Sequence, residues 1–196
     1  MDKTEIRQFN LAECRFDKAD DGSTTVKGYA AVFDSLSEDL GGFKEKIDNR
    51  AFDNVLNDDV VAVFNHDMNI IFGRTSSGTL KLSVDERGLV SEIKMPNTSA
   101  AKDTIELMRR GDINKMSFGF IVDSDKWRES ERGYVRTIQE VKKLIDVSLV
   151  TRPAYPQTSA AVRSLDDYKK KKKKPKTSNT LKNKLRLLKL KNEKDN

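Results

Sequence analysis

Apolar residues along this chain come in short, alternating runs bounded by glycine, proline and polar clusters, a pattern that predicts strands over most of its length. Residues 4–13 alternate weakly and predict a first strand. Val26–Phe33 (Val-Lys-Gly-Tyr-Ala-Ala-Val-Phe) predicts a better one, and Asp34–Gly42 a polar loop closed by Gly41-Gly42. Phe43–Ile47 reads as a short strand and Asn49–Leu56 as a short helix opened by Asp48 or Asn49. Val60–Phe64 is apolar and β-branched, hence a buried strand with His66 just past its end. Thr79–Val84 and Leu89–Met95 flank the turn Asp85-Glu-Arg-Gly88 and predict a hairpin.

The one clear helical pattern follows. Asn97, Thr98 or Ser99 caps it, Ala101, Ile105 and Met108 form its apolar stripe, Arg109-Arg110 oppose the C-terminal dipole, and Gly111 ends it. Met116–Val122, Tyr134–Val141 and Leu144–Thr151 read as further strands, the last stopped by Pro153-Ala-Tyr-Pro156. About seven strands and one major helix favour a mainly β, α+β fold: an antiparallel barrel or sandwich with helices packed outside. Strands and helices do not alternate as a parallel sheet requires. There is no internal repeat.

Charge divides the chain. Residues 169–196 hold 13 Lys+Arg and 2 Asp+Glu, a net +11, whereas residues 1–168 carry −5 of the total +6. The basicity is that of a tail opened by Lys169–Lys174. Within it Leu181, Leu185 and Leu188 mark a short amphipathic helix, marginal alone in water. The expected division is a domain over 1–165 and a basic linker and tail over 166–196, disordered when unbound. No apolar run is long enough for a transmembrane helix, and the charged N-terminus lacks a signal core, so a cytoplasmic protein is expected. With one cysteine and one histidine the chain offers no internal disulfide and no zinc set, and Cys14 reads as a buried structural thiol. Phosphate-binding glycine loops, dinucleotide fingerprints and clustered metal ligands are absent from the sequence, so no cofactor is expected.

Three residues carry candidate chemistry. His66, the sole imidazole, lies among Asn65 and Asp67 at the end of a buried strand. Asp67 is adjacent and points away in an extended segment, so it orients His66 poorly. Ser117, in Met-Ser-Phe-Gly-Phe, shares a strand face with Gly119, while Met116, Phe118 and Phe120 share the other. The small face leaves room for a substrate backbone. Asp146, in Leu-Ile-Asp-Val-Ser-Leu-Val, shares its face with Leu144 and Ser148, and a carboxylate on a central strand needs a partner. The ordinary readings are a hydrogen-bonded histidine, a serine under a loop, and an aspartate paired with Arg or Lys. A base, a hydroxyl and a carboxylate are also the minimum parts of a serine hydrolase. No Gly-x-Ser-x-Gly elbow is present, so an α/β-hydrolase is not indicated.

Several blocks, in order, resemble the prohead maturation protease family of tailed bacteriophages: Gly28-Tyr-Ala-Ala-Val-Phe33, Arg50-Ala-Phe52, Phe64-Asn-His-Asp67 with Gly73-Arg74, Asp85-Glu-Arg-Gly-Leu89, the helix start Pro96–Asp103, Met116-Ser-Phe-Gly-Phe120 and Asp146–Pro156. The resemblance spans roughly residues 25–165. It implies a serine endopeptidase with a fold like the herpesvirus capsid-assembly proteases, a small antiparallel β-barrel surrounded by helices. It also implies the order His66, Ser117, then a third member at Asp146, where the family often has Glu. Glu140 is the alternative carboxylate. By analogy, the loop with Thr151 and Arg152 offers oxyanion donors.

The resemblance further implies action inside an assembling procapsid in the host cytoplasm. The substrate would be scaffold, or the scaffold-like N-terminal region of the major capsid protein, followed by the enzyme itself. The alternatives are a catalytically idle scaffold module working through its basic tail, and a weak, non-specific nucleic-acid contact by that tail. No membrane partner is expected.

Overall fold

The computed structural model describes residues 4–10, 15–18, 23–131, 133–151 and 159–173. Two β-sheets share one apolar core. The six-stranded sheet runs in the order β1 (Glu5–Asn10), β9 (Lys115–Ser130), β10 (Gly133–Val150), β5 (Val61–Phe64), β6 (Asp67–Arg74), with β4 (Phe43–Ile47) also paired to β10. The second is β2 (Arg15–Lys18), β3 (Thr24–Val32), β8 (Gly88–Met95), β7 (Leu80–Val84). Val26, Leu80, Leu89 and Ile93 from the second sheet join Phe118, Phe120, Val147 and Leu149 from the first in a single buried cluster.

The sheets do not close into the expected antiparallel barrel. The chain crosses from one to the other between β6 and β7; Thr75 N–H still donates to the Val60 carbonyl beside β5, and beyond it the bonds go into the turn, Gly78 N–H to the Thr75 carbonyl and Thr79 N–H to that of Arg74. Gly73 sits against the Thr79 carbonyl, where a β-carbon would come within 2.8 Å of the oxygen. With these groups spent on the corner, no ladder continues around it.

Nor is the first sheet purely antiparallel. β4 and β5 lie in tandem along one flank of β10, both parallel to it, against Tyr134–Ile138 and Asp146–Leu149. The segment between them follows the same flank: Asp48 N–H donates to the Ile138 carbonyl, Val141 N–H to that of Ala51, and Leu144 N–H to the Asp58 carboxylate. This is why the helix expected over Asn49–Leu56 does not form. Its backbone makes consecutive three-residue turns, such as Asp53 N–H to the Arg50 carbonyl, and lends a carbonyl to β10.

The helix α1, Ser99–Arg110, follows its sequence signals. The Thr98 hydroxyl accepts from Ala101 N–H at 3.3 Å, Gly111 closes it at φ 83°, and Ala101, Ile105 and Met108 are buried. The two strands expected over 134–141 and 144–151 are one strand, β10, with register shifts between Ile138 and Asp146 that reset its alternation.

By its contacts the chain divides into two units, Met1–Val162 and Arg163–Asn196. Helix α2, Ser159–Lys173, runs through residue 166, so the expected linker begins as helix. Lysine is a good helix former and is favoured at a helix C-terminus, which accounts for Lys169–Lys173. Cys14, Arg152, the Pro153–Pro156 stop and the leucines over 181–190 lie outside the described residues.

Candidate active site

β5 and β6 are joined by two residues only, Asn65 and His66, with φ of 48° and 61°. Consecutive positive φ values are those of a type I′ hairpin turn, the connection whose twist suits antiparallel strands. Asparagine is common at its first position; the second usually holds glycine. His66 stands there instead, in a conformation a β-carbon makes costly. Three bonds hold it: Asn65 N–H donates to the Leu149 carbonyl at 3.0 Å, Thr151 N–H to Asn65 Oδ1 at 3.1 Å, and His66 N–H to Ser148 Oγ at 3.2 Å. The turn is thereby tied to the end of β10.

From this turn the imidazole reaches both other candidates. His66 Nδ1 lies 2.6 Å from Asp146 Oδ1, and Nε2 lies 2.7 Å from Ser117 Oγ. The sheet makes the meeting possible, because β9 and β10 are adjacent and in register at Ser117↔Ser148 and Gly119↔Asp146. Asp146 is buried, its carboxylate leaning over Gly119. A β-carbon on Gly119 would collide with Asp146 Oδ2, so the space read from the sequence as room for a substrate backbone belongs to the carboxylate.

Ser148, buried, completes the arrangement. Its hydroxyl donates to Asp146 Oδ1 at 2.8 Å, accepts from His66 N–H, and lies 3.2 Å from Nδ1. The sequence places Ser148 beside Asp146 but says nothing of this bond, which depends on the His66 turn coming back over β10. Glu140 is elsewhere, accepting from Ser124 at 3.3 Å on the exposed side. The Thr151 amide, expected as an oxyanion donor, is engaged by Asn65.

A second polar group lies at the β1 side of the sheet. Arg7 donates to Glu45 at 2.5 and 2.9 Å and to Glu5 at 2.5 Å. Arg136 donates to both carboxylates at 2.8–3.0 Å and to Asp125 at 2.7 Å. Burial alone would raise the Glu5 pKa, but the bonds and charges of Arg136 and Arg7 outweigh it and hold the carboxyl below its ordinary range. Burial likewise works against the charged Arg7 and is outweighed by Glu45 and Glu5. Reading strands one at a time cannot find this group, since its members lie on β1, β4, β9 and β10.

A hydroxyl, an imidazole and a buried carboxylate in one hydrogen-bonded line form the constellation of serine hydrolases. The family model for caudovirus prohead serine proteases matches residues 11–172, and the chain belongs to that family. Its fold is similar to that of the bacteriophage T4 capsid assembly protease, with a TM-score of 0.52 at 10% identity over 76% of this chain and 97% of the other. No curated protein sequence matches the chain.

Proposed function

We propose that this prohead serine protease works through a Ser117–His66–Asp146 triad. It would cleave scaffold, or the scaffold-like N-terminal region of the major capsid protein, inside the procapsid, and afterwards itself. The observation that carries the triad is the imidazole spanning Ser117 Oγ and Asp146 Oδ1 at 2.7 and 2.6 Å.

In this reading His66 Nε2 takes the Ser117 proton as Oγ bonds to the scissile carbonyl carbon. It then gives that proton to the leaving amine as the peptide C–N bond breaks. Water attacks the acyl-enzyme by the same route. Asp146 accepts from Nδ1–H, holds the tautomer and stabilises the imidazolium. Ser148 holds Asp146 by its hydroxyl and the His66 backbone by its oxygen. Aspartate in place of the family's frequent glutamate is one methylene shorter, and its carboxylate still reaches Nδ1 because Gly119 lets it lie close to β9.

The test is co-expression with the cognate major capsid protein, comparing wild type with Ser117→Ala on a denaturing gel. Shortening of the capsid protein and of the enzyme with wild type only is the expected result. Shortening in neither favours the idle scaffold module, and equal shortening in both assigns the cut to a host protease.

A further inference from the structure

The triad offers a protein substrate little to hold, since Ser117 is buried and its hydroxyl donates to the Arg7 carbonyl at 2.9 Å. A groove of about 890 Å³ lies elsewhere, at the corner where the two sheets part. Its walls come from β6, β8, the start of β3 and α1. Phe72, Met95 and Ile105 give it an apolar lining from the core, and Ile71 adds a side chain that is 49% exposed.

The charge of the groove has one sign. Arg74, Lys94 and Lys102 line it, all three exposed, and no carboxylate does. Asp59 holds Arg74 through Nε and Nη2 at 2.8 and 2.5 Å, and the guanidinium keeps further donors. These cations stand out on residues 1–168, whose net charge is −5. We propose that the groove is an exosite that holds an acidic, extended segment of the protein substrate away from the bond to be cut. The identity of the partner rests on the protease reading above.

The sheet edge says why the segment is extended. β6 ends the first sheet and pairs with β5 alone among the described residues, so its outer edge is a template for an added strand. Of the three large apolar side chains exposed among those residues, two, Met68 and Ile71, are on this strand. A segment with an apolar side chain for Ile71 and carboxylates for the cations covers both features. A nucleic acid satisfies the charges and leaves the apolar wall bare. β6 starts at Asp67, beside His66, and ends at Arg74 in the groove, a span of at most about 23 Å. One extended chain reaches from groove to triad, which sets the acidic segment about seven residues from the cut bond.

Binding is read without catalysis, on the full chain carrying Ser117→Ala. The ligand is a fluorescein-labelled peptide of alternating leucine and glutamate, about ten residues long, followed by anisotropy at about 0.15 M salt, where exposed lysines are partly screened. Saturable binding is expected, weakened roughly tenfold by Lys102→Glu and by Ile71→Asp, both at exposed positions. The same peptide with lysine for glutamate should not bind. Undiminished affinity in both variants places the peptide elsewhere and overturns the proposal. Competition by a DNA oligonucleotide whose own binding falls in both variants overturns it in favour of a nucleic-acid surface. A dimer in sedimentation that Ile71→Asp dissolves gives the groove to a second copy and overturns it as well.

With Ser117 in place, the two substitutions are expected to raise KM for the cognate capsid protein roughly tenfold, with kcat and the cleavage of a short peptide around the cut bond unchanged. An unchanged KM in both overturns the exosite and leaves the triad. Peptide binding that weakens in both variants, together with no capsid cleavage by wild type, keeps the groove as an acidic-peptide site and removes the triad reading.

Discussion

His66 occupies a position where glycine is the easier choice. Its φ of 61° costs on the order of 1 kcal/mol or more, and the bonds to Ser148, Leu149 and Thr151 hold the turn against it. Ser148 serves both ends of that arrangement. Ser148→Ala is expected to lower the cleavage rate roughly ten- to a hundredfold, the value of a hydrogen bond to a charged acceptor, while Ser148→Thr restores most of it. An unchanged pH–rate profile in the alanine variant would count against a positioning role. At Gly119 the added methyl group of Gly119→Ala meets Asp146 Oδ2. The expected result is a carboxylate pushed off Nδ1, cleavage lost, and roughly 1–3 kcal/mol of stability lost in urea unfolding. Wild-type stability and rate would show that the strand has slack.

At the scale of elements, β1 is fastened by charge in a place where charge is costly. Glu5, Arg7, Glu45 and Arg136 are all buried, and removing one leaves the others uncompensated. Glu45→Ala is therefore expected to cost roughly 3–5 kcal/mol and to loosen β1 first, seen as lost protection of the Glu5–Asn10 amides. The acid limb follows from Glu5. Arg7 of its own strand and Arg136 of β10 face it, Glu45 of β4 lies beside them, and Asp125 of β9 holds the far side of Arg136. Its folded pKa is lowered, so its contribution is complete above the ordinary carboxylate value and is lost as pH falls through the lowered one. Protection factors of β1 amides should stay flat from neutral pH to about 4.3 and decline below it, ahead of those in β9. Protection that falls on the alkaline side instead would assign the fastening to another group.

At the scale of the whole chain, a net −5 over residues 1–168 is followed by +11 over residues 169–196. Lysines without interleaved aromatics give salt-sensitive, sequence-blind attraction to polyanions. Deleting residues 169–196, which carry the whole +11, is expected to abolish retention on immobilised DNA at low salt and to leave the thermal unfolding of the two-sheet core unchanged. Retention that survives the deletion would move the basic surface to the described residues. Among those residues, no helix is long and apolar enough to cross a membrane.

Part of the local structure was legible in the sequence. Alternation, caps and turn residues placed β4, the β7–β8 hairpin and α1 within a residue or two, because each depends on side chains within a few positions. It also supplied the three chemical groups and their order. β6 was not legible, since Met68 and Ile71 are exposed and its sequence lacks the alternation of a half-buried strand. The turn before it was hidden by a histidine where a hairpin is usually announced by glycine. The open two-sheet layout, the parallel pairing of β4 and β5, the Asp146 carboxylate over Gly119 and the Arg7 carbonyl on Ser117 were settled only by tertiary structure. Each is a contact between residues tens of positions apart, fixed by strand register, and one chain's sequence carries no statement of register.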